Sequence, residues 1–329
     1  MADGPGLVDH QAHWYPRAGF ELLLDRPRYP TASRVEGGYR YEHSPDFSTV
    51  LTGEFLEVEL QLEDMDLHGV DAMVGNPALC LGDVAGYGEL AVEMCELLNA
   101  EMGRAQHEHA QRFYGVASLP WHEPETALDV LERAVSEHDL RGVCLHSNIA
   151  GTAIGTDDLL VLFRRIEALG LPVVLHPTAA TAMSSAYARY GDTIEMINWL
   201  FDTSAAALSL IYGGVLDACP QLVVLHPHLG GTLPFLAGRI RAFDRLPDRE
   251  TTHPVDEYFK KRFYVDTVTT TPRALTMAEQ LYDPGRVVFG TDYPFVPRRV
   301  SLGFLRGELS EAAMTELTGH TMDWSSRRT

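Results

Sequence analysis

The chain has 329 residues, 45% of them hydrophobic, and a formal charge of -20 at pH 7. That length suits one large α/β domain, and so acidic a balance argues against nucleic acid, whose phosphates need a basic patch. Cys80, Cys95, Cys144 and Cys219 are too scattered for a paired-cysteine zinc motif, nothing ahead of them reads as a signal peptide, and no apolar run reaches the roughly 18 residues of a membrane span, so a soluble, reduced, cytoplasmic protein is expected.

Short β-branched runs predict strands over 7–14, 71–76, 113–119, 142–146, 172–176, 222–226, 263–268 and 287–290. Helical spacing fills most of the gaps, at 57–68, 89–109, 125–137, 157–169, 193–210, 233–243 and 272–281. Eight strands alternating with helices is the count of a (β/α)8 TIM barrel, here expected as one domain over 1–329. Residues 17–55 interrupt the rhythm after the first strand and read either as a lid or substrate wall, or as a hairpin that only covers the barrel. From 308 onward the chain reads as a closing helix and a frayed polar tail.

Several of these runs end in His or Asp followed by Pro or Gly, as in PVVLHPT, LVVLHPHLGG and VVFGTDYPF. Polar residues at the carboxyl ends of barrel strands are where this fold places chemistry. Strand alternation sends Gln11 and His13 to the barrel mouth and His10 to the helix layer, leaving Asp9 and His10 structural. His176 ends the fifth strand and Asp292 follows the eighth; with His13 they make two imidazoles and a carboxylate, a common set for zinc and related ions. His228, before two glycines, suits a proton donor or acceptor, whereas His10, His146 and His226 read as hydrogen-bonded structural residues.

The pattern resembles the amidohydrolase superfamily, in the branch of aminocarboxymuconate semialdehyde decarboxylase and related aromatic-acid decarboxylases. The matching segments are Asp9 to Pro16, Met65-Asp66-Leu67-His68-Gly69-Val70-Asp71, Leu175-His176-Pro177, His228-Leu229-Gly230-Gly231, Gly238-Arg239 and Gly290-Thr291-Asp292-Tyr293-Pro294-Phe295. The resemblance implies one divalent ion, zinc first and manganese second, ligated by His13, His176 and Asp292, with His228 as acid/base. It also implies that Arg239 reaches a substrate carboxylate, across the interface of a homodimer. Two departures stand out: Gln11 occupies the place of the first residue of the family's His-x-His or Glu-x-His, and Gln61 stands where relatives tend to carry a carboxylate-binding arginine. Gln11 is then a weaker, neutral ligand, a partner of a metal-bound water, or the cause of an empty site.

Three functions follow. The first is a metal-dependent, non-oxidative decarboxylase of an aromatic or unsaturated acid, needing no organic cofactor. The second is a hydrolase of an amide, lactone or related carbonyl on the same scaffold, favoured by Gln61 and using Asp292 as proton shuttle. The third is a metal-free enzyme or binding protein. Tyr15, Trp14 and the aromatics of the insertion suit a planar small-molecule substrate, and Asn148, just past the fourth strand, is a further contact.

Overall fold

A computed structural model describes residues 6–45, 47–178, 194–244, 251–268 and 271–324. Eight parallel strands form one sheet: β1 (Val8–Ala12), β2 (Ala72–Gly75), β3 (Phe113–Ala117), β4 (Gly142–His146), β5 (Val173–His176), β6 (Val224–His226), β7 (Phe263–Asp266) and β8 (Val287–Val288). They are hydrogen-bonded in chain order. The ring is closed by the backbone, with His10 N–H on Phe289 O at 2.9 Å, Asp292 N–H on Gln11 O at 2.7 Å and His13 N–H on Tyr293 O at 2.7 Å. The protein is a (β/α)8 barrel, as its alternating pattern predicts.

Side-chain parity sorts the core into two layers. Val8, Val74, Val116, Cys144, Val174, Leu225 and Val288 pack with one another inside the barrel. Met73, Phe113, Val143, Val173, Val224 and Val265 pack outward against the helices. The expected helix over 193–210 is described from residue 194, as one π-helical turn at Ile194–Asn198 followed by the helix Trp199–Tyr212.

One irregularity decides where the chemistry goes. Val8 and Asp9 pair with Ala72 and Met73, but Ala12 pairs with Gly75, so β1 carries one more residue than β2 and bulges at His10 and Gln11. Simple alternation, which sends His10 to the helix layer, fails here. His10 instead accepts the Met322 N–H at Nε2, 3.1 Å, and donates from Nδ1 toward the Val8 and Phe289 carbonyls, both 3.0 Å away. Burial holds it neutral, its pKa pulled down to about 4.

The segment that meets His10 is the supposedly frayed tail. Beyond the helices Arg298–Glu308 and Glu311–Gly319, Met322 and Trp324 are buried and join the interior cluster, so this end of the described chain closes the barrel floor. A polar composition hides two large apolar side chains at alternate positions. Trp324→Ala is expected to lower stability by about 3–5 kcal/mol, the usual range for removing a buried aromatic, measured as the shift in urea midpoint. A change below about 1 kcal/mol would show that the floor does not depend on this ring.

The insertion folds as a short helix, Arg17–Glu21, and a three-stranded antiparallel sheet of Thr31–Val35, Gly38–Ser44 and Phe47–Thr52. It has its own core, in which Phe20 stacks on Tyr39 at 4.9 Å and Tyr41 and Leu51 are fully buried. It is seated on the barrel through Tyr41, whose hydroxyl is 3.3 Å from that of Tyr87, and through Phe47, 6.3 Å from Trp199.

Candidate active site

Side chains from β1, from the ends of β5 and β6 and from the loop after β8 converge at the mouth. His13 is fully buried, and the Asn76 carbonyl lies 2.9 Å from its Nδ1. Its Nε2 stands 2.9 Å from Asp292 Oδ1, its ring is edge-on to His176 at 5.0 Å, and Tyr15 stacks behind it at 6.1 Å. His176 is held in the same way, with the Pro177 carbonyl 2.7 Å from Nδ1. The carbonyl at Nδ1 of His176 selects the tautomer whose Nε2 lone pair faces the centre, whereas Nε2 of His13 here donates to the Asp292 carboxylate. Burial first, and then the fields of His13, His146 and His228, drive the His176 pKa well down, so it is a neutral donor.

Asp292 and His228 both sit on left-handed backbone, at φ 65° and 53°, and Leu229 follows at 56°. Such positions are uncommon for non-glycine residues and cluster at functional sites. Here they aim two side chains at one point, with His228 Nε2 4.0 Å from Asp292 Oδ2. Burial lowers the His228 pKa, Asp292 opposes that, and His13 reinforces it.

Asp292 is held from beneath. Asp9 accepts the Thr291 N–H at 3.0 Å and the Thr291 hydroxyl at 2.6 Å, and Arg298 Nε reaches Asp9 at 3.1 Å. Arg298 is fully buried, donates to Asp64 Oδ2 at 3.0 Å and lies 4.0 Å from the centre of the Tyr293 ring. Gln61 clamps the other side, donating to the His13 carbonyl at 2.7 Å and the Glu54 carbonyl at 2.6 Å.

Several buried polar atoms beside the site lack partners among the described residues. Both amide atoms of Gln11 are unpaired, as is Asp266 Oδ2. Burial pushes Asp266 up to about 7. Gly290 separates the two, and a Cβ there would stand 2.7 Å from that of Asp266 and 3.1 Å from that of Gln11.

Among the described residues no three His, Cys, Asp or Glu side chains already stand at ion-holding distances; His13 and Asp292 bond each other directly. The donor set nevertheless fits a divalent cation. Two imidazoles offer Nε2, Asp292 offers a carboxylate, and the Gln11 carboxamide is buried with nothing else to bind.

The other expected site residues lie further out. Tyr15 is fully buried and donates to the Ala78 carbonyl at 2.7 Å. Asn148 has its amide committed, Nδ2 to Asp202 at 3.0 Å and Oδ1 to the Gly151 N–H at 2.8 Å. Arg239 is exposed on the helix Leu233–Phe243 and lies over Phe243 at 4.8 Å. His226 and His146, read from sequence as hydrogen-bonded, leave buried ring nitrogens without a partner among the described residues, both of them in His226 and Nε2 in His146. Sequence reasoning passed over Asp266, although it ends the seventh strand as His176 ends the fifth. Nothing in the sequence signals Arg298, which meets Asp9 from 289 residues away.

Fold and site together define an amidohydrolase-type barrel, and the comparisons agree. The sequence matches the family model described as Amidohydrolase over residues 8–318, and the chain belongs to that family. It is 29% identical over 245 residues to 2-amino-3-carboxymuconate-6-semialdehyde decarboxylase of Dictyostelium discoideum, covering 72% of this chain and 66% of that relative. It is 26% identical over 266 residues to gamma-resorcylate decarboxylase of Rhizobium radiobacter, covering 76% of this chain and 81% of that one. Among solved structures, dihydroxybenzoic acid decarboxylase of Polaromonas sp., with bound manganese and the inhibitor 2-nitroresorcinol, superposes with a TM-score of 0.76 at 21% identity, covering 95% of this chain and 94% of that one.

Proposed function

We propose that this chain is a metal-dependent, non-oxidative decarboxylase of an aromatic or unsaturated carboxylic acid. The observation that carries the reading is the placement of His228 Nε2, 4.0 Å from Asp292 Oδ2 and beside two imidazoles whose Nδ1 atoms face backbone carbonyls. His13, His176, Asp292 and the Gln11 carboxamide hold the cation. Zinc is the ion proposed for this set, and manganese, bound in a structural neighbour, is its competitor because Gln11 offers a hard neutral oxygen. When bound, the cation supplies positive charge that stabilises an electron-rich substrate.

The chain's own residues handle the proton. His228 delivers it from Nε2 to the carbon that bears the carboxylate; burial lowers the pKa of the ring and the Asp292 carboxylate opposes that, so the ring must first take up that proton beside Asp292. The carbon–carbon bond then breaks, its electron pair returns to the ring or alkene, and CO2 leaves. Asp292 stabilises the imidazolium before transfer. Hydrolysis drew its weight from Gln61, whose amide nitrogen is committed to the His13 and Glu54 carbonyls, while its buried Oε1 has no partner among the described residues.

Further proposals rest on the surroundings. The three-stranded insertion acts as a wall of the pocket, which its seating on Tyr87 and Trp199 supports. A homodimer is supported by large apolar side chains exposed on the helix Leu233–Phe243, Phe235 at 78% and Phe243 at 46%. Arg239 lies on the same helix over Phe243, where a second copy would meet it. Four free, buried cysteines support a reducing compartment, the cytoplasm. Among the described residues no helix is long and apolar enough to cross a membrane.

The test is elemental analysis of protein purified without added metal, followed by assay of hydroxybenzoic acids for CO2 release in water labelled with oxygen-18. The expected result is about one ion per chain, loss of that ion in His176→Ala, CO2 release that chelation abolishes, and an organic product free of the label. Label in an organic product without CO2 would replace the reading by hydrolysis. Full activity without metal would remove the cation from it.

A further inference from the structure

The ring of His176, which ends β5, is aimed by a single peptide unit. The Pro177 carbonyl stands 2.7 Å from its Nδ1, and the N–H of that same peptide belongs to Thr178 and donates to Ser147 Oγ at 3.1 Å. Because the peptide unit is planar, fixing the N–H fixes the direction of the carbonyl, and with it the imidazole that the carbonyl holds. Ser147 follows the last residue of β4, and its own N–H donates to the His176 carbonyl at 2.8 Å. One serine thus grips two successive peptides, the one that follows His176 and the one that faces its ring.

Ser147 is held in turn. A hydroxyl has one hydrogen, and that of Ser147 goes to Asp202 Oδ2, which leaves the oxygen lone pairs for Thr178. Asp202 belongs to the helix Trp199–Tyr212, and its Oδ2 also accepts Asn148 Nδ2 at 3.0 Å. Thr178 is tied a second time, its hydroxyl donating to Asp83 in the loop after β2. Ser147, Thr178, Asp83 and Asp202 are all buried, which strengthens each of these bonds. A buried carboxylate costs more than an apolar pair as a joint between helix and barrel, so its presence at this joint points to orientation.

We propose that Ser147 and Asp202 are positioning residues for His176: the Asp202 carboxylate orients the Ser147 hydroxyl, which sets the direction of the ring through the Pro177–Thr178 peptide. This rests on the reading that His176 holds the cation, and is independent of whether the substrate loses CO2. The two residues act in series. Asparagine at 202 keeps an accepting oxygen for the Ser147 hydroxyl, whereas leucine keeps the bulk and removes it.

The test compares Zn2+ affinity, measured by competition with a chromophoric chelator, and the visible absorption bands of the Co2+-loaded protein. The parent is set beside Ser147→Ala, Asp202→Leu, Asp202→Asn and the double variant Ser147→Ala, Asp202→Leu. His176→Ala tests the reading beneath the proposal. Leu131→Ala, a fully buried position on the helix Pro124–Ser136, reports on destabilisation alone. Ser147→Ala and Asp202→Leu should each bind Zn2+ roughly 10–100-fold more weakly, the usual effect of removing a group that orients a metal ligand, with shifted Co2+ bands. Asp202→Asn should stay within about threefold of the parent. The double variant should lose little beyond the larger single loss, and Leu131→Ala should keep the parent's affinity and bands.

Parent-like affinity and bands in a folded Ser147→Ala protein overturn the proposal, as do multiplicative losses in the double variant or an equal loss in Leu131→Ala. Should Ser147→Ala not fold, position 202 decides, since equal affinities of the Leu and Asn variants are as fatal. If the parent binds no Zn2+, or His176→Ala binds it as tightly as the parent, the reading of His176 as a metal ligand fails and the proposal falls with it. Loss of the ion in His176→Ala with unchanged binding in Ser147→Ala sinks this inference alone.

Discussion

His228→Asn is expected to lose roughly 10²–10⁴-fold in kcat, the usual contribution of a positioned acid/base, while keeping its metal and its fold. Asparagine is the informative replacement because residue 228 sits at φ 53°, a left-handed conformation that Asn tolerates better than Ala or Gln. The ring nitrogen 4.0 Å from Asp292 Oδ2 disappears, but the loop geometry survives. The comparison is kcat for CO2 release against ions bound per chain. A loss below about fivefold, equal to roughly 1 kcal/mol, would remove His228 from the proton step, and a parallel loss of metal would make it a ligand.

The second large effect lies beneath the site. Arg298→Met should destabilise the protein by about 3–5 kcal/mol, because it leaves Asp9 as an uncompensated buried charge. Asp9 and Arg298 are both fully buried. Burial already pushes the Asp9 carboxyl up, and Arg298 is the largest influence opposing it. The double variant Asp9→Asn, Arg298→Met should recover part of the loss, since neither charge then remains. Because Asp9 also holds the Thr291 N–H and hydroxyl, the single variant should bind the ion more weakly as Asp292 loses its support. Urea midpoints of the two single and the double variants measure the coupling. Additive losses would mean that the pair acts as two independent contacts.

The barrel was legible because each buried strand is written as a short β-branched run, and a helical period separates most of them. His13, His176, His228 and Asp292 were legible because they terminate such runs, and the structure brings all four together. The rest depended on features with no local signature. The extra residue in β1 changes which side His10 takes, and alternation cannot reveal a bulge. The tail reads as polar, while Met322 and Trp324 pack into the floor. Gln61 stands where the family resemblance suggests a substrate contact, but its carboxamide ties two backbone carbonyls together. Arg298 could not be linked to Asp9 without the closed ring that makes their helix and strand neighbours.

The bulge in β1 has a chemical consequence. Residue 11 is fastened through its carbonyl, which accepts the Asp292 N–H, while its side chain makes no hydrogen bond to the described protein. On the proposed reading, substituting Gln11 by a residue of similar size changes what the centre offers an ion without removing a side-chain hydrogen bond to the described protein.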